Sequence, residues 1–316
     1  MAELAGEAEQ NADSMTQAEA ARRAMGGIGM MLVALTIVPM MDAAAKYLSD
    51  DLATMQIVWA RYSFHLLFLL PVILWRFGRR AFHTRRPAMQ VVRGSLLATS
   101  TFLFFAAIAH MPLADAIATI FVYPFIVTAL SPAVLGEPVG IRRWIAVFVG
   151  FAGALIVIRP TGAVMSEGVV LALAAGMGFA GYTLFTRKLA GIDPPLITLA
   201  FTGLVGAVGS SFFLPFVWIS PEPQHWPLLA FIGLCAAVGH FLIILAYERV
   251  RAATLAPLGY FEIVTATLLG FVIFGDFPDR VTWLGIAVIV ASGIYISYRE
   301  RVNNALSART APKQRL

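Results

Sequence analysis

Apolar residues run through most of this chain in blocks of about 20, the length a helix needs to cross a hydrocarbon layer of about 30 Å. Ten blocks fit, at residues 25–48, 54–75, 88–110, 113–135, 141–159, 167–187, 194–218, 226–248, 252–274 and 280–298. Short turn-forming runs separate them, among them Ser49, Asp50 and Asp51; His110, Met111 and Pro112; Gly136, Glu137 and Pro138; Asp193, Pro194 and Pro195; and Pro221, Glu222 and Pro223. Too little chain is left over for a second, soluble domain.

The blocks also repeat. Residues 113–158 and 252–297 read as two degenerate copies of one segment, 139 positions apart. The offset superposes Gly136 and Glu137 on Gly275 and Asp276, Trp144 on Trp283, Thr128 on Thr267, and Ala114 on Ala253. A duplicated unit with an odd number of spans must sit upside down relative to its copy, so the expected fold is an all-α membrane protein of ten transmembrane helices in two inverted five-helix repeats. The first repeat takes residues 25–159 and the second 167–298. Residues 1–24 are expected to be a disordered cytoplasmic tail without a cleavable signal peptide, and 299–316 a basic cytoplasmic tail.

Composition agrees with the pattern, since 59% of the residues are hydrophobic and only 13% charged, against roughly 25% charged in soluble domains. The net charge of +5 reads as topology. With the N-terminus inside, Arg76, Arg79, Arg80, Arg85, Arg86, Arg142, Arg143, Arg187, Lys188, Arg249, Arg251 and the basic tail fall on one side, and only Arg159, Arg280 and Lys46 on the other. The positive-inside rule then puts both termini in the cytoplasm and the chain in the cytoplasmic membrane. No separate basic domain exists to hold nucleic acid. The lone cysteine, Cys235, excludes an intramolecular disulfide and a thiolate metal cluster.

The run His110, Met111, Pro112, Leu113, Ala114, Asp115 and Ala116, continuing through Tyr123 and Pro124 to Gly136, Glu137, Pro138 and Trp144, resembles the signature of the EamA family of the drug/metabolite transporter superfamily. Ala252, Pro257, Glu262, Gly275, Asp276 and Trp283 repeat a weaker form in the second half. The resemblance spans residues 25–298 and implies a ten-helix, two-repeat carrier with a central cavity. It does not select a solute, because relatives export amino acids and drugs or import S-adenosylmethionine, riboflavin and other metabolites.

Ionisable residues inside spans are costly and therefore functional candidates with a partner to be named. Asp42 lies nine residues before position 51 and Arg61 ten after it, so an ion pair across the first hairpin is expected, with Lys46 a competing partner one turn from Asp42 and His65 one turn beyond Arg61. This pair would be a second polar cluster nearer the outer face. Around position 250 the same arithmetic brings His240, Tyr260 and Glu262 to one level near mid-membrane. The offset maps Glu262 onto Tyr123, equally deep but entered from the opposite face. Glu262 is read as binding solute or a proton, or as a structural hydrogen-bonding group; for His240 a satisfied core histidine is the commoner case. Tyr182 joins Tyr123 and Tyr260 as wall residues able to stack on a planar solute, although lipid-facing aromatics are more frequent. Arg93 is expected to snorkel to the inner interface. Pro39 and Pro124 fall inside spans, where each frees a carbonyl.

No zinc helix, nucleophile elbow or paired-carboxylate phosphate site is present. Enzymatic activity, a metal and a cofactor are therefore not expected. The expected function is secondary transport, by alternating access, of an amino acid-like, zwitterionic or aromatic metabolite, with proton coupling through Glu262 open. A vitamin or cofactor uptake carrier and a non-transporting structural subunit are the alternatives. The partners are a small solute and the lipid bilayer; oligomeric state is not encoded legibly.

Overall fold

The computed structural model describes residues 2–80, 82–136, 141–158, 166–189, 191–250, 258–259, 261–292 and 294–295. All regular structure among them is helical. Helices Ala2–Leu48, Thr54–Phe77, Pro87–His110, Glu167–Leu189, Pro195–Val217 and His225–Arg249 are continuous, and the fourth span is divided into Leu113–Ile120 and Tyr123–Leu135. Among the described residues seven helices are long and apolar enough to cross a membrane, fewer than the ten blocks of the sequence, and three shorter apolar helices lie within Ile141–Ile158, at Phe261–Phe274 and at Arg280–Ser292. The helices are numbered one to ten in chain order, with the two pieces Leu113–Ile120 and Tyr123–Leu135 together counted as the fourth.

Helix one starts at Ala2 and not near residue 25, so residues 2–24, expected as a disordered tail, are helical. The segment is rich in Ala, Glu, Gln and Met, strong helix formers that extend a helix already nucleated by the span behind them.

The 139-residue offset reappears in the geometry. Gly136 and Gly275 end spans four and nine in the left-handed region, at φ 70° and 75°, where a side chain would be strained. Their amides bond Pro132 O and Phe271 O, also 139 apart. Helix one packs along helix eight and helix three along helix six. A Cβ on Gly239 would meet Val38 at 3.0 Å, and one on Gly178 would meet Ser100 at 3.2 Å; the offset carries Ser100 onto Gly239 and Pro39, beside Val38, onto Gly178.

Helices five and ten cross through glycines. A Cβ on Gly150 would lie 3.0 Å from Ser292 Oγ, one on Gly153 3.0 Å from Gly285 O and Ile289 N, and one on Gly285 3.1 Å from Val157 N. As the first helix advances from 150 to 157 its partner retreats from 292 to 285, so the two run antiparallel. The pair Gly150 and Ser292 becomes Ile289 and Gly153 under the offset, so the crossing is centred where a two-fold axis relating the halves would pass.

Prolines act as expected for buried spans. Pro39 leaves Leu35 O without its helical donor, and Thr265 Oγ1 of helix nine donates to that oxygen at 2.8 Å. Pro124 lies in the first turn of Tyr123–Leu135, just after the break at Phe121 and Val122. Helix six comes close there, because a Cβ on Gly176 would stand 3.1 Å from Ile120 O. In the matched place of the second half, Leu258 and Gly259 form a 3-10 turn before Phe261.

Candidate functional site

The breaks set the two matched polar residues. Tyr123 opens the second piece of span four and Glu262 is the second residue of Phe261–Leu269, so each sits at a helix N-terminus, where unpaired amides favour an oxygen acceptor or a negative charge. Glu262 is half-buried, and no hydrogen bond to its carboxylate forms among the described residues. Tyr260 lies outside the described residues.

The expected pair of Asp42 and Arg61 is not a direct ion pair. Both are buried, at 4% exposure, and they interact through space without closing to 4 Å among the described residues. Arg61 Nε instead points to Met41 Sδ at 3.4 Å and Nη2 to His240 Nε2 at 3.4 Å, while the guanidinium lies 4.6 Å from the Tyr62 ring. Sequence spacing gives depth only; rotation about the helix axis and the approach of helix eight decided the partner. Lys46 likewise turns away from Asp42 to Asp276 Oδ2 at 3.3 Å and Met111 O at 2.8 Å.

The two polar clusters read from sequence are therefore one. His240 bonds Arg61, the His65 and His240 rings are 6.4 Å apart, and Asp42 feels both Arg61 and Glu262. Helices one, two, eight and nine meet in this region because glycines admit helix two. A Cβ on Gly233 would fall 2.8 Å from His65 N, one on Gly203 3.4 Å from the His65 ring, and one on Gly206 2.3 Å from the Tyr62 ring. Among the described residues, Arg61 Nη1 and both nitrogens of His65 have no hydrogen-bond partner. The sequence placed His65 beside Arg61 but gave no sign of this.

Tyr182 and Tyr123 belong to a second lobe. Tyr123 meets Phe121 at 5.9 Å and Phe179 at 4.7 Å, and Phe179 meets Tyr182 at 5.5 Å, which gives a row of four rings. The row ends at Arg93, which is 3% exposed and does not snorkel. Its head donates to Thr186 Oγ1 at 2.8 Å, Thr202 Oγ1 at 2.8 Å, Thr198 O at 3.2 Å and Tyr182 Oη at 3.1 Å, and stacks 4.7 Å over the Tyr182 ring. Four acceptors from helices six and seven outcompete the interface. His240 interacts electrostatically with Arg93 as well as Arg61, so the lobes are neighbours.

An all-helical chain of membrane-length spans, with offset-related halves and charged groups held in its interior, has the architecture of a membrane carrier. The model of the EamA-like transporter family matches twice, over residues 25–159 and 166–298, and the chain belongs to that family. It is 26% identical over 283 residues to the S-adenosylmethionine uptake transporter of Rickettsia prowazekii, covering 90% of this chain and 96% of that one. It is 28% identical over 285 residues to the riboflavin transporter of Rhizobium johnstonii, covering 89% and 94%. With the pseudopaline exporter CntI of Pseudomonas aeruginosa it shares 27% over 276 residues, covering 86% and 95%. A crystal structure of a protein 17% identical superposes with a TM-score of 0.62 over 88% of this chain and 98% of that one, a likeness of fold alone.

Proposed function

We propose that this protein is a secondary carrier that moves a small organic metabolite across the cytoplasmic membrane by alternating access between two inverted five-span halves. The shorter helices five, nine and ten are its remaining three spans, and both termini are cytoplasmic by the distribution of basic residues. The observation that carries this reading is the cluster of Asp42, Arg61, His65, His240 and Glu262 between helices one, two, eight and nine, with buried donors left without partners. A membrane protein that only scaffolds others gains nothing from such groups, which are expensive in hydrocarbon. Tyr123, Tyr182 and Tyr260 are assigned to the wall of the solute path, the first two through the aromatic row.

The solute class follows the groups: charged ends for an amino acid-like or zwitterionic molecule, aromatic rings for a planar part. Uptake of a vitamin or cofactor is the second reading, favoured by relatives named for S-adenosylmethionine and riboflavin. Flux of labelled S-adenosylmethionine, riboflavin and amino acids into proteoliposomes is the test. Saturable flux is expected with the wild type, and Glu262→Gln should abolish it or uncouple it from a pH gradient while membrane insertion stays intact. Absence of flux for all of them would favour a structural subunit. Wild-type flux with unchanged pH response in Glu262→Gln would remove Glu262 from the mechanism.

A further inference from the structure

We propose that Arg61 and His65 form an anchor for a carboxylate of the transported solute, and that Asp42 and Glu262 receive its ammonium end. This rests on the carrier reading above and specifies its solute as a molecule bearing an α-amino acid headgroup.

The Arg61 guanidinium is 4% exposed, and a buried charge is tolerable only when paired and hydrogen-bonded. Its present neighbours are a thioether, an imidazole nitrogen and a ring face. They soften the charge without cancelling it, and Nη1 is left with no partner. His65, 1% exposed, stands one turn away with both ring nitrogens unpartnered. Asp42 brings a carboxyl group into the same region yet stays beyond 4 Å of the guanidinium, close enough only to act through space.

Arg93 supplies the control inside the same molecule. The offset of 139 carries helices one, two and eight onto six, seven and three, so Arg61 and Arg93 occupy corresponding triads. Arg93 is equally buried and spends its donors on four neutral oxygens. The chain can therefore saturate a buried arginine with threonine and tyrosine oxygens, and in the second triad it does so. In the first it leaves the arginine open and holds a carboxylate apart from it.

A zwitterion completes that arrangement. A carboxylate accepts two parallel N–H bonds from a guanidinium, which satisfies Nη1 and cancels its charge, and an imidazole nitrogen of His65 supplies a further donor. The ammonium of the same headgroup is then offered to the carboxyl groups of Asp42 and Glu262, on helices one and nine, which Thr265 Oγ1 and Leu35 O join at 2.8 Å. An uncharged solute can offer Nη1 an oxygen, as the threonines do for Arg93, but it leaves the guanidinium charge uncancelled.

Binding to the purified full-length protein tests it, using thermal unfolding in detergent with S-adenosylmethionine, each of the twenty protein amino acids, and riboflavin as an uncharged comparison. At least one amino acid-bearing probe should raise the melting temperature. For the best of them, the carboxamide and the deaminated acid should each bind at least roughly tenfold more weakly, the scale of a lost charged hydrogen bond. Arg61→Gln should match the carboxamide's loss, and His65→Leu, which removes no existing hydrogen bond, should weaken binding severalfold in a protein that still folds. Equal binding of acid and carboxamide, or unchanged binding by a folded His65→Leu variant, overturns the anchor. Stabilisation by riboflavin alone overturns the anchor and leaves the carrier reading standing. No shift with any probe counts against both.

Discussion

A glycine decides how close helix two may come to its neighbours. At Gly206 a Cβ would stand 2.3 Å from the Tyr62 ring, and at Gly233 2.2 Å from Phe64 Cβ. Gly206→Ala should therefore cost about 1–3 kcal/mol by overpacking, read as a lower melting temperature. Gly233→Ala meets backbone as well and should also lower solute flux, because it displaces His65; wild-type flux at normal stability would refute that. Asp193 offers a pH test outside the membrane. Partial burial opposes its charge, but hydrogen bonds from Thr84, Gln90 and the Arg85 amide, together with the charge of Arg85, hold its carboxyl below the usual value. Its contribution is present above the ordinary aspartate value of about 3.9 and is lost as pH falls through the lower native one. Asp193→Asn should flatten the stability profile in that acidic window and lower stability near neutrality; an unchanged profile would refute it. At this scale the sequence revealed depth and little else. Glu262 and Tyr123 were legible as matched positions because the offset is a property of sequence. The knot around Arg93 was not, since Thr186, Thr202 and Tyr182 come from two other helices with no periodic signal linking them.

Elements were more legible than contacts, for a physical reason: the length of an apolar block is set by the bilayer, whereas helix rotation is set by packing. Seven of the blocks reappear as membrane-length helices among the described residues, and the interior prolines show how a defect is absorbed. Pro39 removes a bond from helix one, and Thr265 of helix nine restores it at Leu35 O, so the repair couples two elements. Thr265→Val should cost about 1 kcal/mol, the net worth of a neutral hydrogen bond. Thr265→Ser should retain that bond, and equal melting temperatures for the two variants would show that the hydroxyl contributes nothing. The break in span four was foreshadowed by Pro124, but its position two residues earlier depends on Gly176 of helix six, which no local pattern discloses. The helix before residue 25 has no apolar block to announce it, although its Ala and Glu residues are good helix formers.

Across the whole molecule, one side chain joins three segments. Lys46 ties the end of helix one to Met111 O after helix three and to Asp276 after helix nine, and lies 5.1 Å from the Phe274 ring. The ion pair is partly exposed, so Asp276→Asn should change stability by less than about 1 kcal/mol. If halves of the molecule move against each other during transport, releasing this clasp should alter flux far more than melting temperature; parallel small changes in both would make it a surface contact only. The duplication itself was legible in the sequence, while the arrangement of the copies needed the crossing of helices five and ten. That crossing has a consequence for ancestry. A contact centred on the axis presents each surface to its own duplicate, so the forerunner of Gly150 and Ile289 would have faced the forerunner of Gly153 and Ser292 even when each was encoded once. A joint of this form fits two separate copies related by that axis as well as two halves of one chain, and fusion of two copies would have added proximity to a fit that already existed.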